Sequence, residues 1–292
     1  MPRRRRVCRS SLEKMDATVP WDFFLALIQP VDYKPTPKGG RAPFSLEDML
    51  IATSCFRCFA GIDMIGGRIP DETTILNFRH LLEEHQIAEQ IFENVNQSLT
   101  EKGVMLKEGT ILDATIINAP SSTKNKKGER DPEMHSVAKG NQWFFGMRCH
   151  IGVDAASGLV HSVVSTAANV HELNTAADRV HGEERVIYGD AGHIGIEKRD
   201  AFKDCEAEMR IAMKPGQRRV LPDTPEGRLL DLIETAKAHF RAKVEHPFRI
   251  IKCQFGFRKV YYRGIIKNDL KLKMLFALAN LWFVRKRCPC IA

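Results

Sequence analysis

The sequence predicts an α/β chain, a mixed sheet with helices on its faces, preceded by a small helical region. Three observations predict it. Up to Gly103 the apolar residues keep a helical period, whereas from Thr110 they alternate or gather in β-branched runs. Beyond that change the order is strand, hairpin, helix, strand, helix, strand, helix, and this interleaving is the pattern of an α/β domain. Finally, two of the strands carry or end on an aspartate, and open α/β sheets place ligands beyond their carboxyl ends.

Composition narrows the class. The 292 residues are enough for one large domain with an appendage or for two domains. Lysine and arginine number 44 against 36 aspartate and glutamate, for a net charge of +8 and a pI near 9.1. That balance favours a polyanionic partner such as nucleic acid. No apolar run approaches the roughly 20 residues of a membrane span. The start, MPRRRRVCRSS, lacks the apolar core of a secretory signal, so an intracellular, cytoplasmic protein with reduced thiols is expected. Cys55-x-x-Cys58 and Cys288-x-Cys290 suggest zinc only superficially. The second spacing is wrong, and no histidine follows the first pair at finger distance.

The elements follow in order. Residues 1–14 carry five arginines and a lysine and read as a disordered arm that touches phosphates or simply solubilises. VPWDFFLALIQ, Val19 to Gln29, is a short helix stopped by Pro30, and VDYKPTPKGGRAP is a basic linker. Ser45 opens a helix with Asp48 three residues on, a weak capping box. Asp71 caps a long amphipathic helix with Ile75, Phe78, Leu82 and Ile87 on one face, which Gly103 ends. Residues 15–103 thus form a helical region suited to DNA binding or dimerisation, with plain packing as the bland alternative.

TILDATIIN from Thr110 is a buried strand with Asp113 in its middle, and a carboxylate there is costly unless something pairs with it. APSSTKNKKGERDPEMHSVAKGNQ has no period and reads as a Lys-rich loop, either an excursion across DNA or a solvated one. WFFGMRCHIGVD and GLVHSVVSTAA form an antiparallel hairpin. Asp154 in its DAASG turn reads as a turn residue, and Trp143, Phe144 and Phe145 read as core. A helix is expected over Asn169–Arg179. The strand Val186–Tyr188 then ends at Gly189-Asp190-Ala191-Gly192. His193, three residues after Asp190, offers either a phosphate contact or a structural hydrogen bond. A helix, the strand MRIAMKPGQ and the basic helix Thr235–Lys259 follow, with a last apolar helix over Asp269–Lys286.

On the basic helix Arg241, Glu245 and Lys252 share a face at spacings of four and seven, beside the apolar stripe Phe240, Val244, Phe248 and Ile251. Pro247 should kink it just after Glu245. Spacing alone does not separate a phosphate site from ordinary i,i+4 decoration. With Asp113 and Asp190 on neighbouring strand ends and Glu245 reaching in, three carboxylates meet the needs of two-metal phosphoryl transfer. Two magnesium ions roughly 3.5–4 Å apart would activate the attacking oxygen and stabilise the leaving one.

The chain resembles the DDE transposases of bacterial insertion sequences, in the insertion-sequence-five group of the insertion-sequence-four-like superfamily. The matching pieces are IPDETTILNFRHLLEEH, TILDATIINAPSSTKNK, HIGVDAASGLVHSV, VIYGDAGHIG and RAKVEHPFRIIKCQFGFRKVYYRG, in the family's order across most of residues 65–286. The resemblance implies a ribonuclease-H-like catalytic domain over 104–286 with a tail at 287–292. It also implies a metal-binding triad of Asp113, Asp190 and Glu245, and places the Arg-x3-Glu-x6-Lys signature on Arg241, Glu245 and Lys252. The implied activity is cleavage and strand transfer at the terminal inverted repeats of an insertion sequence. Magnesium is the implied ion, two per site, with manganese substituting. The implied partner is double-stranded DNA, both terminal repeats and target, with Lys124, Lys126, Lys127 and Arg130 following its backbone. A homodimer assembled on DNA and nucleoid association follow from the same likeness. The chain departs from the pattern at Ala238, where the superfamily often has tyrosine. It also lacks on the order of six helical turns between Leu50 and Phe59. The end, RCPCIA, matches nothing in the pattern and reads as truncated or frameshifted. These departures leave room for a defective remnant that only binds DNA.

Overall fold

The computed structural model describes residues 19–32, 71–124, 126 and 128–285. The arm at 1–14, the capping box at Ser45, the cysteine pairs, the shortened stretch at 50–59, Lys127 and the tail lie outside the described residues. The chain divides into two compact units, one running to Ile91 and including the residues from Leu281 on, the other spanning Phe92–Asn280.

In the first unit, α1 (Trp21–Ile28) buries Phe24 and Ile28 and ends before Pro30. Helix α2 (Glu72–Glu84) starts where the sequence indicates, with the Asp71 carboxylate accepting from the Thr74 N–H at 2.7 Å. The expected single helix is in fact two, because Gln86 adopts a left-handed φ of 53° and α3 (Ile87–Glu101) starts afresh. A left-handed non-glycine costs about 1–2 kcal/mol. Beyond the break, Ile87, Ala88, Ile91 and Phe92 are buried along one face of α3. Helix α3 crosses into the second unit and closes at Gly103, whose φ is 66°.

The second unit is built on six strands: β1 (Gly109–Asn118), β2 (His135–Lys139), β3 (Gln142–Asp154), β4 (Val160–Ala167), β5 (Val186–Gly189) and β6 (Glu208–Ile211). Their order is β2-β3-β1-β5-β6, with β4 also on β3. The long β3 offers one edge to β1 and shares the other, β2 pairing residues 142–146 and β4 residues 147–153. Pairing is antiparallel through β4, β3 and β1 and parallel through β1, β5 and β6. This is the mixed open sheet of a ribonuclease-H-like domain. The register of β1 on β3 depends on Gly146, since a Cβ there would lie 2.1 Å from the Ile117 carbonyl oxygen. Ile111, Leu112, Ile117, Ile151, Val153 and Ile187 are fully buried within the sheet.

Four expectations change here. Strand β2 lies in the stretch read as loop. Both its faces are largely exposed, so it has no apolar alternation to reveal it, and the turn Gly140-Asn141 with φ 61° at Gly140 is its only local signal. Asn169–Arg179 forms two 3₁₀ turns, Glu172–Thr175 and Ala177–Arg179, not a helix. The carbonyls of Glu172 and Thr175 are taken by the Arg179 guanidinium. Short 3₁₀ turns also replace the helix expected between β5 and β6.

The basic helix is broken as well. After α4 (Pro215–Arg219), α5 runs over Pro225–Arg241, ten residues earlier than expected, with Thr224 as its cap and Pro225 at its first turn. A 3₁₀ turn at Ala242–Val244 then leads to α6 (Glu245–Arg249) and a π-helical stretch, Ile250–Gln254. Pro247 has no N–H for the Lys243 carbonyl, which the Glu245 N–H reaches instead as the chain tightens. The break therefore falls just before Glu245, not after it. The final helix, α7, spans Ile265–Val284.

Candidate active site

The parallel pairing of β1 with β5 ends at Ile111 opposite Tyr188. Two residues further along each strand direction stand Asp113 and Asp190, so both carboxylates lie where the two central strands part. The Asp113 Oδ1 accepts from the Ala114 N–H at 2.7 Å. Burial pushes its pKa up to about 6, the neighbouring charges of Glu172 and Asp190 add to the rise, and the Ala114 N–H and Arg241 oppose it. Asp190 moves the other way. Burial raises it, but the bond from His193, the charge of Arg241 and the Gly192 N–H together hold it below the ordinary value. Its Oδ1 accepts from Gly192 N–H at 2.9 Å and from His193 Nδ1 at 2.8 Å.

Three further residues complete this end of the sheet, and sequence reasoning assigned a site role to only one of them, His193. Glu172, on the first 3₁₀ turn, has one carboxylate oxygen 3.5 Å from Arg148 and the other buried without a hydrogen-bond partner. Potential ligand atoms of Glu172, Asp190 and His193 lie within 4.8 Å of one another. Arg179 is fully buried and donates to the carbonyls of Thr175, Asp113 and Glu172 and to His193 Nε2. The basic guanidinium drops to about 10 through burial but stays charged near neutrality.

The residues of the basic helix separate. Arg241, at the end of α5, is half-buried with its Nε unpartnered, and its charge acts on both Asp113 and Asp190. Glu245 opens α6 and is exposed, its carboxylate without a hydrogen bond or ion pair to another described residue. Lys252 turns inward: its Nζ donates to Thr115 Oγ1 at 2.5 Å and to the Ile116 carbonyl at 3.0 Å, and burial lowers its pKa. Lys124, Lys126 and Arg130 are exposed on the segment after β1, Arg130 resting 5.3 Å from the Phe145 ring centre.

Two other readings resolve. Asp154 is a turn residue, its carboxylate accepting from the N–H groups of Lys107 and Ser157 and the Ser157 hydroxyl. Trp143, expected in the core, is 77% exposed at the edge of the sheet, and Phe144 and Phe145 are half-buried.

The donor set fits a hard divalent cation. An oxygen of Glu172 is buried without a partner, the Asp113 carboxyl is driven upward by burial and like charges, and the second oxygens of Asp113 and Asp190 accept nothing from the described residues. A ribonuclease-H-like sheet with carboxylates at the parting of its central strands defines a class of proteins that transfer phosphoryl groups of nucleic acids. The family model of the transposase DDE domain matches residues 105–281, more than half of the chain, and the chain belongs to that family. DDE transposases work with divalent metal ions on DNA. No solved structure matches the chain. Among the described residues no helix is long and apolar enough to cross a membrane.

Proposed function

We propose that the chain is the transposase of an insertion sequence of the insertion-sequence-five group, cutting DNA at the element's terminal inverted repeats and joining the ends to target DNA. The observation that carries this reading is the pair Asp113 and Asp190 at the parting of β1 and β5, within the matched domain. Asp113, Asp190 and Glu245 would hold two magnesium ions, which manganese can replace. The ions supply Lewis acidity at the attacking and leaving oxygens of an in-line displacement. Arg241, with no carboxylate partner among the described residues and close to both aspartates, is placed to hold a phosphate oxygen. Lys252 keeps β1 and the π-helical stretch together while presenting a cation beside them. Lys124, Lys126, Lys127 and Arg130 would follow the DNA backbone. Residues 15–103 would recognise DNA or dimerise, 104–286 catalyse, and a homodimer would assemble on the nucleoid-bound ends.

The test is magnesium-dependent cleavage of a labelled duplex bearing the element's terminal repeat, beside Asp113→Ala. Cleavage at the repeat boundary, lost in the variant, is the expected result. Binding without cleavage would replace this reading with that of a DNA-binding remnant. Substantial cleavage by Asp113→Ala would remove Asp113 from the chemistry.

A further inference from the structure

Asp190 can serve a metal only if its carboxylate keeps one orientation, and the structure shows a buried chain of donors that could fix it. Arg179 is fully buried between the two 3₁₀ turns and the sheet, and its guanidinium reaches four acceptors. These are the carbonyls of Thr175 at 3.1 Å, Asp113 at 3.2 Å and Glu172 at 2.8 Å, and the Nε2 of His193 at 3.3 Å. A guanidinium has donors only. The His193 nitrogen facing it must therefore be the lone-pair nitrogen, which places the ring proton on Nδ1. That nitrogen lies 2.8 Å from Asp190 Oδ1, and His193 itself is fully buried.

We propose that Arg179 and His193 are positioning residues for the aspartate pair. Arg179 sets the tautomer of His193, His193 holds Asp190 Oδ1, and Asp190 Oδ2 is left facing the site. The same guanidinium grips the carbonyl of Asp113, 66 residues away in sequence, so one side chain ties both aspartate-bearing segments together. With both ring nitrogens engaged, His193 is not itself a metal ligand, although it lies among potential ligand atoms. Each donor also has a local reason to stay in place. Gly189 leaves the room His193 needs, since a Cβ there would come within 2.9 Å of the histidine Cβ. The two 3₁₀ turns present the carbonyls of Glu172 and Thr175 toward Arg179, the former also accepting from the Thr175 hydroxyl.

This inference rests on the reading of Asp190 as a metal ligand, and the experiment separates the two. Nitrogen-15 NMR of the full chain labelled at histidine reports the His193 tautomer directly. A proton on Nδ1 is expected, whereas a proton on Nε2 or on both nitrogens overturns the relay. Manganese affinity is then measured by electron paramagnetic resonance for Asp190→Asn, His193→Phe and His193→Asn. Loss of binding in Asp190→Asn supports the ligand reading, and its retention defeats that reading whatever His193 does. His193→Phe should weaken manganese binding roughly 10–100-fold, the usual effect of removing a group that orients a ligand. His193→Asn can put an amide N–H near the Nδ1 position and should recover much of that loss. Unchanged affinity in folded His193→Phe, with binding lost in Asp190→Asn, would refute the positioning role alone.

Discussion

Replacing Asp113 by asparagine should make the metal-free protein more stable. Its carboxyl is raised from 3.8 to about 6, foremost by burial. Each unit corresponds to about 1.36 kcal/mol, so the ionised group destabilises the fold by about 3 kcal/mol at pH 7. The sign follows from the direction of the shift. The penalty is absent below about pH 4, grows as the unfolded chain ionises first, and is complete above about pH 6. Asparagine keeps the size and an acceptor for the Ala114 N–H but carries no charge. Thermal melts without metal at pH 7 should place Asp113→Asn on the order of 6 °C above wild type. At pH 4 the two should coincide. Magnesium at ten times its dissociation constant should raise the wild type by about 1.4 kcal/mol and leave the variant unmoved. A variant that melts at or below wild type at pH 7, or a difference that persists at pH 4, would refute the reasoning.

Asp190→Asn should act in the opposite direction, because hydrogen bonds and positive charge hold that carboxyl below its usual range. Its stabilising contribution is full above the unfolded value and lost as pH falls through the folded one, so urea melts should show the variant less stable at pH 7 and the gap closing in acid. Lys252→Met should cost about 1–3 kcal/mol in the same assay, since it leaves the Ile116 carbonyl without its ammonium donor; an unchanged midpoint would mean the lysine is not anchored to β1. Replacing Lys124, Lys126 and Arg130 together by alanine should weaken binding to duplexes of any sequence. The slope of log affinity against log salt should fall by about 0.9 for each phosphate that is no longer neutralised.

The aspartates were legible in the sequence because each breaks a local rule. Asp113 is a charge inside a β-branched strand, and Asp190 sits between glycines past a strand end. The sheet was legible where one face is apolar, and missed at β2, where both faces are wet. Arg179 and Glu172 were not legible, since it is the fold that brings Arg179 to Asp113 and Glu172 to Arg148. The Arg179 bond to the Asp113 carbonyl spans 66 residues, and no period in the sequence encodes it. The helix spacing of Glu245 and Lys252 misled for a geometric reason. A spacing of seven places two residues on one face only in an unbroken α-helix. Here a 3₁₀ turn precedes Glu245 and a π-helical stretch contains Lys252, so one side chain is exposed and the other tucked against β1.

The two aspartates differ in a way that matters for what the site can do. They share a strand boundary, yet one is driven above its ordinary pKa and the other below it. Asp190 is already stabilised as an anion by His193, Gly192 and Arg241 before any cation arrives. Asp113 has only its own neighbour's N–H and, at a distance, the charge of Arg241, set against two nearby carboxylates. A divalent cation would relieve this imbalance by compensating the group that the protein leaves uncompensated. Metal uptake should then be coupled to deprotonation of Asp113, strengthening as pH rises through about 6 and flattening above it. Titrating manganese between pH 5 and 8 measures that coupling. An affinity independent of pH across this range would show that Asp113 does not share the ion.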